Sequence, residues 1–186
     1  MFVITGGPGS GKTSLIEALA QGAYINDRQF SAPLLTMPET GRAIIQDQIA
    51  IGGTALPWAD RNAFAELMLS WACRSYREAM ASKGPVVLDR GIADIMGYLM
   101  LCNLPVPAHM RRAAELYRYN PLVFIAPHWP DIYVQDAERK QDERLAEATC
   151  RMMGQVYTNL GYDVVPLPLV SVQERADFVR AHIAAA

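Results

Sequence analysis

The stretch GGPGSGKTS, Gly6 to Ser14, constrains this chain more than any other, and it follows directly on the apolar run MFVIT. Glycine and proline at this density suit neither helix nor strand. They suit a backbone that is itself a binding surface. The stretch contains Gly6-x-x-x-x-Gly11-Lys12-Thr13, the phosphate-binding loop pattern. Consecutive backbone N–H groups can wrap a phosphate chain only where the chain turns tightly and no side chain intervenes. A helix that starts at the end of the loop adds its own unsatisfied N–H groups and the positive end of its dipole. Gly7, Pro8, Gly9, Ser10, Gly11, Lys12, Thr13 and Ser14 are therefore expected to line the phosphates. Lys12 is expected to reach the β- and γ-phosphates, and the Thr13 hydroxyl to ligate Mg²⁺. The flanks agree. MFVIT is short and β-rich, and Leu15, Ile16, Leu19 and Ala20 recur at helical spacing before Gly22.

The 186 residues suit one domain with a substantial core. A formal net charge of -2 makes no general case for nucleic acid or an anionic membrane as partner. Cys73, Cys102 and Cys150 lack C-x-x-C spacing, so no structural zinc site is expected, and the count fits a reducing compartment. His109, His128 and His182 form no cluster. No apolar run is long enough to span a bilayer, and the loop begins too early to leave room for a signal peptide. A cytoplasmic location is expected.

Strand-like and helix-like pieces alternate along the whole chain, the pattern of a parallel sheet with helices on both faces. LLTMPE (34–39), PVVLD (85–89), LVFIA (122–126) and a piece of YDVVPLPL (162–169) read as further strands. Among the helices, the segment 60–84 places Phe64, Leu67, Met68, Trp71, Ala72 and Ser75 on one face, with Trp71 expected in the core. Ser171 with Glu174 spells a capping box at the last helix. Ligands of parallel sheets bind beyond the carboxyl ends of the strands. Glu39, Asp89 and the phosphate loop all fall at that edge.

A buried strand delivering Asp89 beside a phosphate loop suits an aspartate that holds Mg²⁺ directly or through water. The next residue, Arg90, is a cation where mechanical ATPases often carry a water-activating glutamate. It suits clamping a phosphate in transfer, or else an ion pair with Glu39 or Asp94. Glu39 can take the acceptor hydroxyl's proton or bind the acceptor, or can simply favour a helix dipole. Arg42 could hold an anionic acceptor. Arg139, Lys140 and Arg144 lie in a basic stretch that reads either as a lid closing over nucleotide, within about 127–144, or as a solvated helix with Arg139–Glu143 and Lys140–Asp136 pairs. Trp58 and Trp129 sit in proline-bearing loops, where they pack a loop on the core or line a base or acceptor pocket.

Together FVITGGPGSGKTSLIEALA, PETGRAIIQ, ALPWADR, LDRGIADIMGYL, FIAPHWPDIY, ERKQ and SVQERADFV resemble the predicted ATPases of the NadR-type AAA domain family, over most of the chain. More distantly, GGPGSGKT and LDRG resemble nucleoside and nucleoside-monophosphate kinases. The resemblance implies a three-layer α/β/α sandwich on a mostly parallel five-stranded sheet, with ATP and Mg²⁺ as cofactors. It also implies a kinase-like transfer to a small molecule that it leaves unnamed. In related kinases the stretch carrying Arg139, Lys140 and Arg144 is a mobile lid. The helical lid domain of large AAA machines is not expected in a chain that ends soon after its fifth strand. No Asn-Lys-x-Asp guanine-reading motif is present, which opposes a GTPase reading. The competing readings are a nucleotide-dependent binding or regulatory protein, using ATP or GTP, and a plain ATPase.

Overall fold

The computed structural model describes residues 1–22, 30, 32–130 and 143–186. Its five strands are β1 (Phe2–Gly6), β2 (Leu35–Met37), β3 (Val86–Asp89), β4 (Leu122–Ala126) and β5 (Asp163–Pro166). They form one sheet in the order β2-β3-β1-β4-β5, and every neighbouring pair is parallel. The described helices are α1 (Lys12–Gly22), α2 (Gly41–Ala50), α3 (Arg61–Met80), α4 (Ile92–Leu101), α5 (Ala108–Leu116), α6 (Glu143–Asn159) and α7 (Val172–Ala185).

The three layers follow from the period of a strand. Successive side chains point to opposite faces, so β1 sends Phe2 and Ile4 to one side and Val3 to the other. Phe2 and Ile4, with Val87 and Phe124, pack against Leu15, Ile16 and Leu19 of α1 and Ala176, Val179 and Ile183 of α7. Val3, with Val86, Leu88 and Val123, packs against α3, α4, α5 and α6 through residues such as Leu69, Ile92, Leu99, Met110 and Val156. The central strands bury both faces, which is why they read as continuous apolar runs rather than alternating ones. The fold is thus the α/β sandwich that the alternation and the resemblance implied.

Local signals set several boundaries. Asp60 caps α3 by accepting from the Ala63 N–H at 2.9 Å. At α7 the Ser171 hydroxyl accepts from the Glu174 N–H, and the Glu174 carboxylate accepts from the Ser171 N–H. One expectation needs correction. Trp71 is 36 % exposed and outside the core. On α3, Phe64, Met68, Ala72 and Ser75 face an internal cavity, whereas Leu67 and Trp71 lie on the neighbouring ridge, in a shallow outer groove with Ile44 and Asp47. The stripe is real, but four of its six residues form a cavity wall and two an outer surface.

Phe124 is fully buried in the central strand β4, edge-on to Phe178 with ring centroids 6.5 Å apart. Phe124→Ala is expected to lower unfolding free energy by about 3–5 kcal/mol, read from urea denaturation followed by circular dichroism.

Candidate functional site

The carboxyl edge of the sheet gathers the charged residues, and each is delivered by a strand end. β1 runs into the phosphate loop, where Gly9 and Gly11 hold φ of 70° and 75°, left-handed backbone that side-chain-bearing residues rarely adopt. The loop then opens α1. Lys12 and Ser10 are both buried. The Lys12 ammonium folds back to donate to the Gly7 carbonyl at 2.5 Å and to the Ser10 hydroxyl at 3.2 Å, and Ser10 in turn donates to the Gly7 carbonyl at 2.8 Å. Burial pulls the Lys12 pKa down to about 7, helped by the neighbouring Arg90 cation and opposed by Asp89, Glu39 and Asp94.

β3 lies directly beside β1 and ends in Asp89, which the structure buries. Its Oδ1 has no hydrogen-bond partner among the described residues. Burial raises its pKa to about 6 even though Lys12 and Arg90 pull the other way. A buried carboxylate oxygen without a donor is the condition that a cation relieves. Thr13, exposed at the first turn of α1, lines the same cavity and supplies a hydroxyl. Thr13 and Asp89 therefore fit a Mg²⁺ ion whose remaining ligands are phosphate oxygens and water, the usual habit of that ion. The described residues contain no cluster of three or more His, Cys, Asp or Glu side chains that could hold a metal ion.

Arg90 follows with φ of 71°, a strained value for a residue with a side chain. Its N–H donates to the Ile4 carbonyl at 2.9 Å, which ties the turn to β1. Its guanidinium donates to Glu39 at 3.2 Å, to the Gly6 carbonyl at 3.0 Å and to Asp94 at 3.3 Å. Burial disfavours the cation, yet Glu39, Asp94 and Asp89 together hold its pKa above the ordinary value. Both ion pairs anticipated for Arg90 are thus present, and they aim it across the mouth of the phosphate loop. Glu39 stands just after β2, brought to Arg90 from 51 positions away.

The organiser of this edge is Asp94, 4 % exposed in the first turn of α4. It accepts from the Thr5 hydroxyl at 2.5 Å, the Gly91 N–H at 2.9 Å, the Tyr157 hydroxyl at 2.7 Å and Arg90. Sequence reading had Asp94 only as a partner for Arg90. Its position three residues past Gly91 at a helix start was the available signal, because a carboxylate there caps the first turn. Arg175 of α7, which sequence reading missed, donates to the Ser10 carbonyl at 3.0 Å.

These residues line one cavity of about 1520 Å³ that contains Pro8, Gly9, Gly11, Lys12, Thr13 and Ser14 as well as Glu39, Arg42, Asp89 and Arg90. Trp58, 64 % exposed, lines it too and is a wall of the cavity rather than core packing. Arg144 is exposed at the start of α6 and is not among the lining residues. Arg139 and Lys140, and with them most of the expected lid, lie outside the described residues.

A strand–loop–helix cradle with a buried lysine, beside a strand ending in an orphaned carboxylate, defines a phosphate-loop domain of the nucleotide-binding class. The AAA domain family model matches residues 1–175, and the chain belongs to that family. No curated protein matches it. No helix among the described residues is long and apolar enough to cross a membrane.

The raised Asp89 pKa gives a sign for stability. A carboxyl whose folded pKa lies above its unfolded value contributes stability that is fully present below the unfolded value of 3.8 and lost as pH rises through about 6. Near pH 7.5 the carboxylate is ionised and buried. Asp89→Asn is therefore expected to raise Tm there by roughly 5 °C, to leave Tm unchanged near pH 4, and to remove the Mg²⁺ dependence of nucleotide affinity. Differential scanning calorimetry at the two pH values, with Mg²⁺ titrations, reads all three.

Proposed function

We propose that this chain is a Mg²⁺-dependent phosphotransferase that moves the γ-phosphoryl group of a nucleoside triphosphate, ATP in the sequence reading, to a hydroxyl of a small molecule. The observation that carries this reading is the size and lining of the cavity. Single small-molecule pockets occupy about 300–1,000 Å³, and this cavity is larger. Besides the phosphate loop, Arg90 and Glu39, it is lined by Met37, Ile45, Phe64, Met68, Trp58 and Tyr98. A plain ATPase has no use for such additional lining, because water needs no pocket. An arginine in place of a water-activating glutamate after Asp89 supports the same choice.

Lys12, once released from the Gly7 carbonyl, pairs with the β- and γ-phosphates. Arg90 is already oriented by three acceptors, so it meets charge developing on the phosphoryl oxygens without reorganising. Mg²⁺, when bound by Asp89 and Thr13, neutralises phosphate charge. The acceptor's hydroxyl oxygen bonds to the γ-phosphorus as the bond from that phosphorus to the β–γ bridging oxygen breaks. The hydroxyl proton passes to the Glu39 carboxylate, and the nucleoside diphosphate departs. Arg42, exposed and lining the same cavity, suits an anionic substituent on the acceptor.

The test has two stages. Nucleotide consumption is measured against a panel of small alcohols, and an accelerating acceptor is expected. Glu39→Gln is then expected to lower acceptor-dependent turnover by about 100-fold and to leave nucleotide affinity nearly unchanged. Consumption indifferent to every acceptor, or a Glu39→Gln variant as fast as wild type, would reject the transfer reading in favour of slow hydrolysis or regulated binding.

A further inference from the structure

The sheet order assigns an end to each part of a bound nucleotide. The phosphate loop leaves β1, the central strand. Asp89, Arg90 and Glu39 stand on the β3 and β2 side of it. The γ-phosphate must point to that side for them to act, so the nucleoside must point the other way, over β4 and β5. There the cavity is lined by Trp129, three residues after β4 ends at Ala126, and by Val170, Ser171, Val172 and Arg175 after β5.

Arg175 is the unusual group at this end. It is 1 % exposed and is among the largest fully buried side chains of the protein. One guanidinium nitrogen donates to the Ser10 carbonyl, while Nε and Nη2 are buried with no partner among the described residues. Burial, which disfavours the charged form, pulls its pKa below the ordinary value. Arg175 lies over the Trp129 ring, its guanidinium carbon 5.8 Å from the ring centroid. An indole and a guanidinium with two nitrogens unpartnered among the described residues therefore line the cavity together on the side where the base must lie.

We propose that Trp129 and Arg175 recognise the nucleobase and rank donors by its edge, favouring a 6-oxopurine over a 6-aminopurine. This inference rests on the nucleotide-binding part of the proposed function and refines its donor. A guanidinium has donors and no acceptor. The O6 and N7 atoms of guanine or hypoxanthine both accept, whereas adenine offers N7 together with a 6-amino donor that leaves one guanidinium N–H opposed. The base packs on the indole, and its acceptor edge satisfies the buried cation. The 2-amino group plays no part, so guanine and hypoxanthine bind alike. That separates this device from guanine reading by a carboxylate, which requires the 2-amino donor and for which the sequence carries no motif.

Diphosphates avoid turnover, so titration calorimetry with ADP, GDP, IDP and inorganic tripolyphosphate, each with Mg²⁺, tests the idea. Wild-type protein is expected to bind IDP and GDP with equal affinity and about tenfold more tightly than ADP. Arg175→Met keeps most of the buried volume and is expected to level the three diphosphates. It also removes the hydrogen bond to the Ser10 carbonyl of the phosphate loop, so tripolyphosphate affinity is expected to fall as well, but by much less than IDP affinity. ADP binding as tightly as IDP in wild type would overturn the inference, and so would GDP binding far more tightly than IDP. A loss of tripolyphosphate affinity in Arg175→Met equal to the loss of IDP affinity would overturn it too, by moving Arg175 to the phosphates. If Arg175→Met fails to fold, the wild-type ranking still decides. Trp129→Leu, expected to weaken all three diphosphates but not tripolyphosphate, then checks the stacking surface. Absence of binding by all four ligands would remove the nucleotide reading itself, an outcome distinct from binding without preference.

Discussion

Asp94 is the fixed point on which the charged edge of the sheet depends. Four donors from β1, the turn before α4, and α6 converge on its two oxygens. A buried carboxylate is tolerable only when it is bonded in this way. Once it is, it holds Arg90 in a strained backbone conformation and joins α4 and α6 to the strand that launches the phosphate loop. Arg90 then holds Glu39 at the end of the neighbouring strand β2. A chain of charge-assisted bonds thus runs from the core to the mouth of the cavity, and it sets the position of each group that would meet a phosphate.

The parallel sheet converts this into a directional site. All strand ends face one way, and β1 separates two sides with different chemistry. On the β3 and β2 side stand a carboxylate missing a partner and an arginine with several, arranged for a cation and a phosphoryl group. On the β4 and β5 side stands Arg175 over an indole, with two of its nitrogens unpartnered among the described residues. The two orphaned groups, Asp89 and Arg175, are complementary in sign, and they flank the loop whose lysine is itself bent back on a carbonyl. Each is a buried polar group whose cost a ligand would relieve. That is the physical sense in which this edge is prepared for binding.

Much of this was legible in the sequence, for identifiable reasons. The phosphate loop, the aspartate after VVLD and the capping box at Ser171 are local signals, where neighbours in sequence make the contacts. Strands β4 and β3 were legible because burial on both faces leaves apolar runs, LVFIA and the VVL that leads to Asp89. What stayed hidden depends on distant contacts. Trp71 shares helical spacing with Phe64 and Met68, yet a ridge one turn-step away faces outward, and spacing alone does not say where the facing helix ends. Arg175 looked like an ordinary charge at a helix start beside Glu174; its burial comes from the packing of α7 on the loop 165 positions earlier. The role of Asp94 required four partners that only the fold assembles. Arg144, grouped with the lid cations by composition, sits exposed outside the cavity lining.

The central claim is that Lys12, Asp89 and Arg90 form one electrostatically coupled phosphate and Mg²⁺ site. Proton exchange on binding tests it most directly. In the free protein Lys12 has a pKa of about 7, so near pH 8 most of it is neutral. A polyphosphate placed beside it favours the charged form, so binding must draw a proton from solution. Titration calorimetry of the Mg²⁺ complex of β,γ-imido ATP near pH 8, in two buffers of different ionisation enthalpy, reads this number directly. The account expects uptake approaching one proton per site in wild type and none in Lys12→Met, with affinity about 100-fold weaker in the variant. Equal affinity in the two proteins, or binding with no proton uptake in wild type, would contradict it.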